Sequence, residues 1–243
     1  MLHFICTFLT LALLIGCSTT RPQEASRAYG NQDYVKAYEL YRAEALEGNG
    51  AAQIMAGKMS ARGDGTPLDY QEAMKWYQMA ANQNIAAAQI SLGYMYKDGI
   101  GIQKNYELAF KFFKLAAEQG DPVAQYEIGK LYHDGIGTKR DFQEALKWFR
   151  SAAGQGNADA QCNLGLMYLE GSGTPKNPIE AYAWMYVAAA NGNELASGFT
   201  ALMTLNASPK QYEDASALAM EYVDQYGRTK LLVRGRSYLR DLF

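Results

Sequence analysis

The chain has 243 residues and a formal net charge of −2 at pH 7; 49% of its residues are hydrophobic and 20% are charged. This is the composition of an ordinary globular protein, and the near balance of charge gives no overall indication of binding to nucleic acid or to an anionic membrane. Because proline is scarce, with 6 residues, while alanine, leucine, methionine, tyrosine and glutamate are plentiful, the composition favours helices over strands.

Residues 1–16 are predicted to be an export signal. The run from Leu2 to Gly16 is nearly all apolar, but as a helix it would rise only about 22 Å, short of the ~30 Å hydrocarbon core of a bilayer. An apolar run of this length that ends in small residues is typical of a signal peptide. The run departs from that pattern at its start, where His3 stands instead of lysine or arginine. An uncleaved anchor or a misplaced start codon is the alternative interpretation.

The segment Leu14-Ile15-Gly16-Cys17 resembles the bacterial lipobox. The resemblance implies that Cys17 carries the lipid, palmitate included, and becomes the first residue of the mature protein. Ser18 after that cysteine implies, by the same resemblance, an outer-membrane lipoprotein that faces the periplasm. Residues 17–26 are polar and are predicted to tether the folded part of the chain to the membrane.

Cys162 is the one cysteine that this interpretation leaves available, because Cys6 leaves with the signal and Cys17 is acylated. A single cysteine cannot form an intramolecular disulfide. We expect a small buried hydrophobic side chain rather than a reactive thiol. This position in the repeat described next is otherwise occupied by Ile54, Ile90 and Tyr126.

From about residue 49 to residue 192, one pattern recurs every 36 residues without insertion or deletion. Glycines, alanines, large aromatic side chains and glutamines all keep this spacing. A period of 20 to 50 residues with fixed small and aromatic positions predicts stacked repeats. The recurring positions are Gly57, Gly93, Gly129 and Gly165; Gly63, Gly99, Gly135 and Gly171; Gly65, Gly101, Gly137 and Gly173; Ala73, Ala109, Ala145 and Ala181; Trp76, Phe112, Trp148 and Trp184; and Gln53, Gln89, Gln125 and Gln161.

Each repeat is predicted to contain two helices. The first helix, such as Pro122 to Asp134, begins after a capping residue and ends at the Gly-x-Gly turn, where glycine accepts the left-handed conformation. The caps are Asn49, Asp121, Asn157 and Asn193; Ile85 occupies the position in the second repeat, so Asn84 is the candidate cap there. The second helix opens with capping boxes or close variants of them, at Asp69–Glu72, Asp141–Glu144 and Asn177–Glu180.

The pattern A-x-x-x-[LI]-G-x-x-Y-x-x-G-x-G, followed by A-x-x-[WF]-x-x-x-A-A-x-x-G, resembles the Sel1-like repeat, an αα-hairpin relative of the tetratricopeptide repeat. The first repeat departs from the pattern at Ala56 and Ser60, where leucine and tyrosine are expected. The resemblance implies an all-α fold, a right-handed α-solenoid of αα-hairpin repeats with the first helices on its concave side. The repeats are residues 49–84, 85–120, 121–156 and 157–192.

Helical caps are predicted at both ends of the solenoid, because a terminal repeat would otherwise expose an apolar face. Residues 27–48 match the second helix of a repeat and form an N-terminal capping half-repeat, whereas residues 193–227 form two C-terminal capping helices, the second starting at Ser208 and Pro209. Residues 228–243 are a basic tail of net charge +4. The tail is either a frayed helix or a docking segment for an anionic surface or partner.

No group of residues in the sequence predicts catalysis or metal binding. The Gly-x-Gly turns lack the preceding strand and the Gly-Lys-[Ser/Thr] ending of a phosphate-binding loop. A metal site or a catalytic relay would depend on His133 alone in the mature chain. Asp98, Asp134 and Glu170 share one position of the repeat, but stacked helices would separate them by about 10 Å, at or beyond the ~6.5–9.5 Å of inverting glycosidases. We therefore expect no enzyme, no metal and no cofactor.

The variable positions on the first helices are where specificity for a ligand should lie. They change from basic at the N-terminal end of the chain to acidic further along, which suits an extended peptide or a helix of a partner protein. An ordinary solvated surface is the alternative. The candidate partner-binding residues are Lys58, Arg62, Ser91, Tyr94, Asp98, Glu127, Lys130, Asp134, Asn163 and Glu170.

The expected function is that of a non-catalytic scaffold or adaptor of the bacterial cell envelope, anchored by lipid, that binds a protein and not nucleic acid. The family resemblance implies this, since Sel1-like proteins commonly serve as adaptors. Two alternatives stay open. Some cysteine-rich relatives bind or weakly hydrolyse β-lactams, although they carry a cysteine pair in each repeat and this chain has none. The other alternative is a binder of peptidoglycan or another glycan, through an exposed Tyr94 and the acidic positions.

Overall fold

The computed structural model describes residues 21–227, which divide into two compact units, residues 21–104 (unit 1) and 105–227 (unit 2). Every regular element among these residues is an α-helix. Within the described part of the chain, the predicted all-α fold of αα-hairpin repeats is therefore confirmed. Residues 1–20 and 228–243, which include the predicted signal, Cys17 and the basic tail, lie outside it.

Unit 1 contains α1 (21–30), α2 (Tyr34–Leu46), α3 (Gly50–Arg62), α4 (Tyr70–Asn82) and α5 (Ala86–Asp98). From α2 onward, each helix packs against the next one in the chain. The core between α2, α3 and α4 consists mainly of alanines, with Tyr38, Met59 and Trp76 as its large side chains. The many alanines allow helix axes to approach closely, as the repeat pattern requires.

Unit 2 contains α6 (Tyr106–Glu118), α7 (Pro122–Asp134), α8 (Phe142–Gly154), α9 (Ala158–Glu170), α10 (Pro178–Ala190), α11 (Glu194–Asn206) and α12 (Pro209–Tyr226). The helices from α6 to α11 pack in chain order, and α12 packs against α10. The ring of Trp184 on α10 lies 4.6 Å from that of Tyr222 and 5.2 Å from that of Tyr226, measured between centroids. In the described repeats, α3, α5, α7, α9 and α11 are first helices, and α4, α6, α8, α10 and α12 are second helices.

The recurring glycine in the middle of each first helix lets that helix approach the second helix of its own repeat. In α7 a Cβ added at Gly129 would lie 2.8 Å from the ring of Phe149 on α8. The same position is crowded in α3, where the neighbour is Tyr77, and in α9, where it is Met185. These glycines, which recur every 36 residues, therefore allow two helices to pack closely and are not part of a binding loop.

Most of the predicted caps of the first helices are confirmed. The side chains of Asn49, Asp121, Asn157 and Asn193 each accept a hydrogen bond from the first helical turn. The prediction for Asn84 is wrong. Helix α5 begins after Ile85 with no side-chain cap, while Asn84 adopts a φ of 60° and its side-chain oxygen accepts from Nε2 of Gln89 at 3.0 Å. Asparagine tolerates this left-handed turn better than most residues.

The second helices are capped on one side only, so they are variants of the capping box. The side chains of Asp69, Asp141 and Asn177 accept from backbone N–H groups of the first turn. Their own backbone N–H groups, however, donate to carbonyl oxygens of the preceding first helix, at Ser60, Tyr132 and Tyr168. The glutamates at Glu72, Glu144 and Glu180 are therefore free for other contacts. A reciprocal capping box is present at Ser208 and Gln211.

Candidate functional site

In unit 1 the candidate residues on α3 and α5 differ widely in exposure. Lys58 and Arg62 are half-buried and Asp98 is exposed. Ser91 and Tyr94 are only 3% and 4% exposed, which corrects the expectation that Tyr94 lies on the surface. The hydroxyl of Ser91 donates to the carbonyl of Ala87 at 2.9 Å, so its polar group is satisfied within its own helix. Neither side chain offers a surface to a glycan.

In unit 2 the candidate residues on α7 and α9 leave two carboxylates at the surface. Asp134 and Glu170 are exposed, Lys130 and Asn163 are half-buried, and Glu127 is buried. The ammonium of Lys130 lies over the ring of Tyr126, 5.5 Å from its centroid. Burial of Glu127 is a correction to its predicted place on an open face.

The exposed carboxylates of Asp134 and Glu170 make a few polar contacts within the chain. Asp134 Oδ1 lies 2.7 Å from Nδ1 of His133, and Glu170 Oε2 accepts from the hydroxyl of Ser172 at 3.2 Å. His133 and Asp134 are both partly open to solvent. Contacts of this kind are weakly held at a surface and exchange readily with other partners.

Contacts between α7, α9 and α11 join these first helices into one layer. Tyr126 of α7 is the link to α9: burial raises the pKa of its phenol, and the neighbouring Asp159 and Glu127 carboxylates raise it further. Asn193, which caps α11, donates to Oδ1 of Asp159 at 2.8 Å. The surfaces of α7 and α9 therefore lie side by side, and Asp159 of α9 connects them to the start of α11.

The glutamine column that recurs through the repeats is structural. In three repeats the side-chain amide of a buried glutamine donates to a carbonyl of the preceding second helix, with Gln53 reaching Ala45, Gln125 reaching Ala117 and Gln161 reaching Ala153. Its side-chain oxygen accepts from the end of the second helix of its own repeat, at Gln83, Gln155 and Asn191 respectively. The 36-residue spacing in the sequence reveals this set of glutamines, but only the structure shows which groups they bond.

The glutamates at the start of the second helices are also used inside the fold. The Tyr38 hydroxyl donates to Glu72 at 3.0 Å, and that of Tyr222 donates to Glu180 at 2.9 Å. Burial raises the pKa of Tyr222, and the bond to Glu180 adds to this effect. Glu72 and Glu180 are therefore held by hydrogen bonds within the fold.

Cys162 is 2% exposed, as the sequence predicts for a buried hydrophobic position. Burial, with a smaller contribution from Asp159, raises the pKa of its thiol to about 11. A thiol at this pKa stays protonated at neutral pH and is a poor nucleophile. Among residues 21–227 no group of three His, Cys, Asp or Glu side chains could hold a metal ion, and no helix there is long and apolar enough to cross a membrane.

The Sel1 repeat model matches residues 27–49, 50–85, 86–121, 122–157 and 158–193. The chain belongs to the Sel1 repeat family. The matches cover the four predicted repeats, shifted by one residue, and the half-repeat before them. Sel1 repeat proteins are α-solenoids that generally act as scaffolds for protein–protein interaction, so the predicted solenoid class is confirmed.

Two solved structures are similar to this Sel1 repeat chain. A protective antigen of uropathogenic Escherichia coli with an SLR fold is 30% identical over 83% of this chain and 44% of its own, with a TM-score of 0.74. A Sel1 repeat protein from Oxalobacter formigenes is 34% identical over 70% of this chain and 50% of its own, with a TM-score of 0.65. The chain thus spans about half the length of either protein. No match was found among curated proteins.

Proposed function

We propose that this Sel1 repeat protein is a non-catalytic scaffold of the bacterial envelope that holds a basic segment of a partner protein on α7 and α9. The observation that carries the proposal is the pair of exposed carboxylates, Asp134 and Glu170, at the same position of two neighbouring first helices. The glycine, alanine, glutamine and second-helix glutamate positions are occupied by packing and internal hydrogen bonds.

The charge of this surface favours a basic ligand. Helices α7 and α9 carry four acidic side chains and one lysine, a formal charge of −3 with His133 neutral. The lysine is held over the Tyr126 ring instead of pairing with either exposed carboxylate. A surface with a net negative charge accelerates the encounter with a positively charged segment and disfavours acidic ones.

Neutralising the two carboxylates should weaken binding without weakening the fold. We expect Asp134→Asn/Glu170→Gln to slow association with the partner at least about fivefold in low-salt buffer, and much less in high salt, because surface charges act mainly on encounter and are screened. The unfolding free energy should change by less than ~0.5 kcal/mol, since exposed charges contribute little to stability.

The partner for this measurement is obtained by placing a photo-crosslinking residue at Asn163 in intact cells and identifying the adduct by mass spectrometry. Glu213→Gln/Asp214→Asn is the matched control, because it removes the same charge from exposed positions on α12. The control should associate like the wild type. Equal association of the wild type and the α7/α9 variant at low salt would exclude this surface.

The proposed location is the periplasmic face of the outer membrane, with the lipid on Cys17. We expect Cys17→Ser to transfer the protein from the membrane fraction to the soluble fraction, because the variant lacks the thiol that the lipobox resemblance assigns to acylation. Cys6→Ser, which changes a cysteine inside the predicted signal, should stay with the membranes. Sedimentation of the Cys17→Ser protein with outer membranes would rule out this anchor.

A further inference from the structure

Helix α11 presents an unusually apolar surface to solvent. Leu195, Leu202 and Leu205 are 60%, 59% and 81% exposed. They share one face of the helix with Gly198, at which an added Cβ would meet nothing within 4 Å. Ala196 is the one fully buried residue of this helix. A monomeric protein rarely leaves several large apolar side chains exposed together, so this face calls for a covering segment.

The preceding first helix shows how such a face is normally covered. On α9, one period earlier, Cys162 and Leu166 occupy the positions of Gly198 and Leu202. These two side chains pack in one cluster with Ala196, Phe199 and Met203 of α11. The face of α11 would be covered in the same way by residues that follow Ala196 and Met203 by one further period.

Those residues belong to the segment 228–243, whose sequence keeps the character of the repeat at several positions, although Arg236 stands in the column of Leu164. Leu232 and Leu239 stand 36 residues after Ala196 and Met203, and Ser237 continues the column of small residues. Thr229 continues the column of helix caps that contains Asn193, and threonine is a good capping residue. The column that ends at Leu239 is apolar throughout: Met59, Met95, Leu131, Met167, Met203 and Leu239.

The chain also leaves α12 at a suitable place. The carbonyl of Tyr226, the last residue of α12, accepts from Nδ2 of Asn191 at 3.2 Å. Asn191 precedes the cap of α11 by two residues, so the last residue of α12 lies near the N-terminal end of α11. The sixteen residues that follow Gly227 are enough to run along a helix of thirteen residues.

Charge favours the same arrangement. Residues 193–227 carry five acidic side chains and one lysine, whereas residues 228–243 carry five basic side chains and one aspartate, so their formal charges are −4 and +4. The acidic residues are Glu194, Glu213, Asp214, Glu221 and Asp224, and all of them are exposed. Opposite charges of this size steer the two segments together.

We propose that residues 229–242 of this chain dock on the exposed face of α11 in the register of a further first helix. The leucines at 232 and 239 cover Leu195 and Leu202, and the basic side chains face the acidic residues around α11 and α12. The inference is independent of the binding surface on α7 and α9, and it removes the apolar face of α11 from the surfaces open to a partner.

Photo-crosslinking in the full-length protein tests directly whether residues 228–243 cover the exposed face of α11. A photo-reactive residue at Leu202 should give an adduct with residues 228–243 of the same chain, identified by mass spectrometry in a mixture of isotopically light and heavy copies. Leu115, an exposed leucine on α6 of the same unit, is the control position and should give no such adduct. An adduct between light and heavy copies, an adduct only with another protein, or none with the tail would overturn the proposal.

A mutant cycle gives a second measurement. Leu202→Gln and Leu239→Gln should each lower the urea midpoint of the full-length protein, and together they should lower it by clearly less than the sum, because neighbours are not additive. Leu115→Gln combined with Leu239→Gln should be additive. Additivity in the Leu202 and Leu239 pair would contradict docking in this register.

Discussion

Replacing Gly137 by valine is expected to lower the unfolding free energy by roughly 3–5 kcal/mol, from backbone strain and overlap together. Gly137 has a φ of 71°, which a β-branched residue resists. An added Cβ would also overlap the carbonyl oxygen of Tyr106 and lie 2.5 Å from its carbonyl carbon. These are backbone atoms at the start of α6, so no side-chain rotation relieves the overlap. Urea unfolding of the wild type and the variant measures the loss.

Substitutions at two other glycines distinguish backbone strain from steric overlap as the cause of this loss. Gly135→Val places a side chain at a φ of 70°, but the nearest atom is the Cβ of Arg140 at 3.1 Å, so we expect a loss of only about 1–2 kcal/mol. Gly154→Ala in the last turn of α8 meets open space and should stabilise the helix by ~0.5 kcal/mol. If Gly137→Val lowers the unfolding free energy no more than Gly135→Val does, close contact with α6 is not the reason for a glycine at position 137.

The helices could be predicted from the sequence because their signals are local. The Gly-x-Gly turn ends each first helix through the backbone conformation of the glycine itself, and the caps act within one helical turn. The repetition of these signals every 36 residues then fixed the order of first and second helices. Helix α7 extends over Pro122–Asp134, the range that its cap and turn predict.

The spacing alone leaves open whether a capping box is reciprocal, because that depends on contacts between distant parts of the chain. Asp69 and Glu72 have the spacing of a capping box, but the backbone N–H of Asp69 donates to the carbonyl of Ser60 on the preceding helix. That bond follows from how α3 and α4 pack. The column of Asn84 contains glycines, which indicates a left-handed turn there more directly than the cap spacing indicates a cap.

The candidate binding surface was predicted only in part, because helical periodicity gives the direction of a side chain and not what covers it. Ser91, Tyr94 and Glu127 lie on the predicted face of the first helices and are nevertheless buried. Asp134 and Glu170 are exposed because they lie in the last turn of α7 and α9, next to the Gly-x-Gly turns. Position along the helix therefore separates buried from open residues on this face.

The glutamine column supports a prediction about how the repeats are held together. Gln161 is 0% exposed and joins two second helices: its Nε2 donates to the carbonyl of Ala153 on α8, and its Oε1 accepts from Asn191 at the end of α10. Asn191 in turn donates to the carbonyl of Tyr226 on α12. Because Gln161 and Asn191 are buried, their polar groups depend on these protein partners.

Replacing Gln161 by leucine should therefore cost about 1–3 kcal/mol in unfolding free energy, since it leaves one Asn191 donor unsatisfied. It also removes the bond to the carbonyl of Ala153, which still accepts from the backbone N–H of Gly156. Leucine has nearly the volume of glutamine, so little of this loss would come from a cavity. Gln143→Leu is the matched control: Gln143 donates to the carbonyl of Gly173 at 2.8 Å but is exposed, and water can replace it, so we expect a change within ~0.5 kcal/mol. Urea unfolding of both variants decides the matter. A Gln161→Leu protein as stable as the Gln143→Leu protein would mean that packing, and not the buried hydrogen bonds, keeps glutamine in this column.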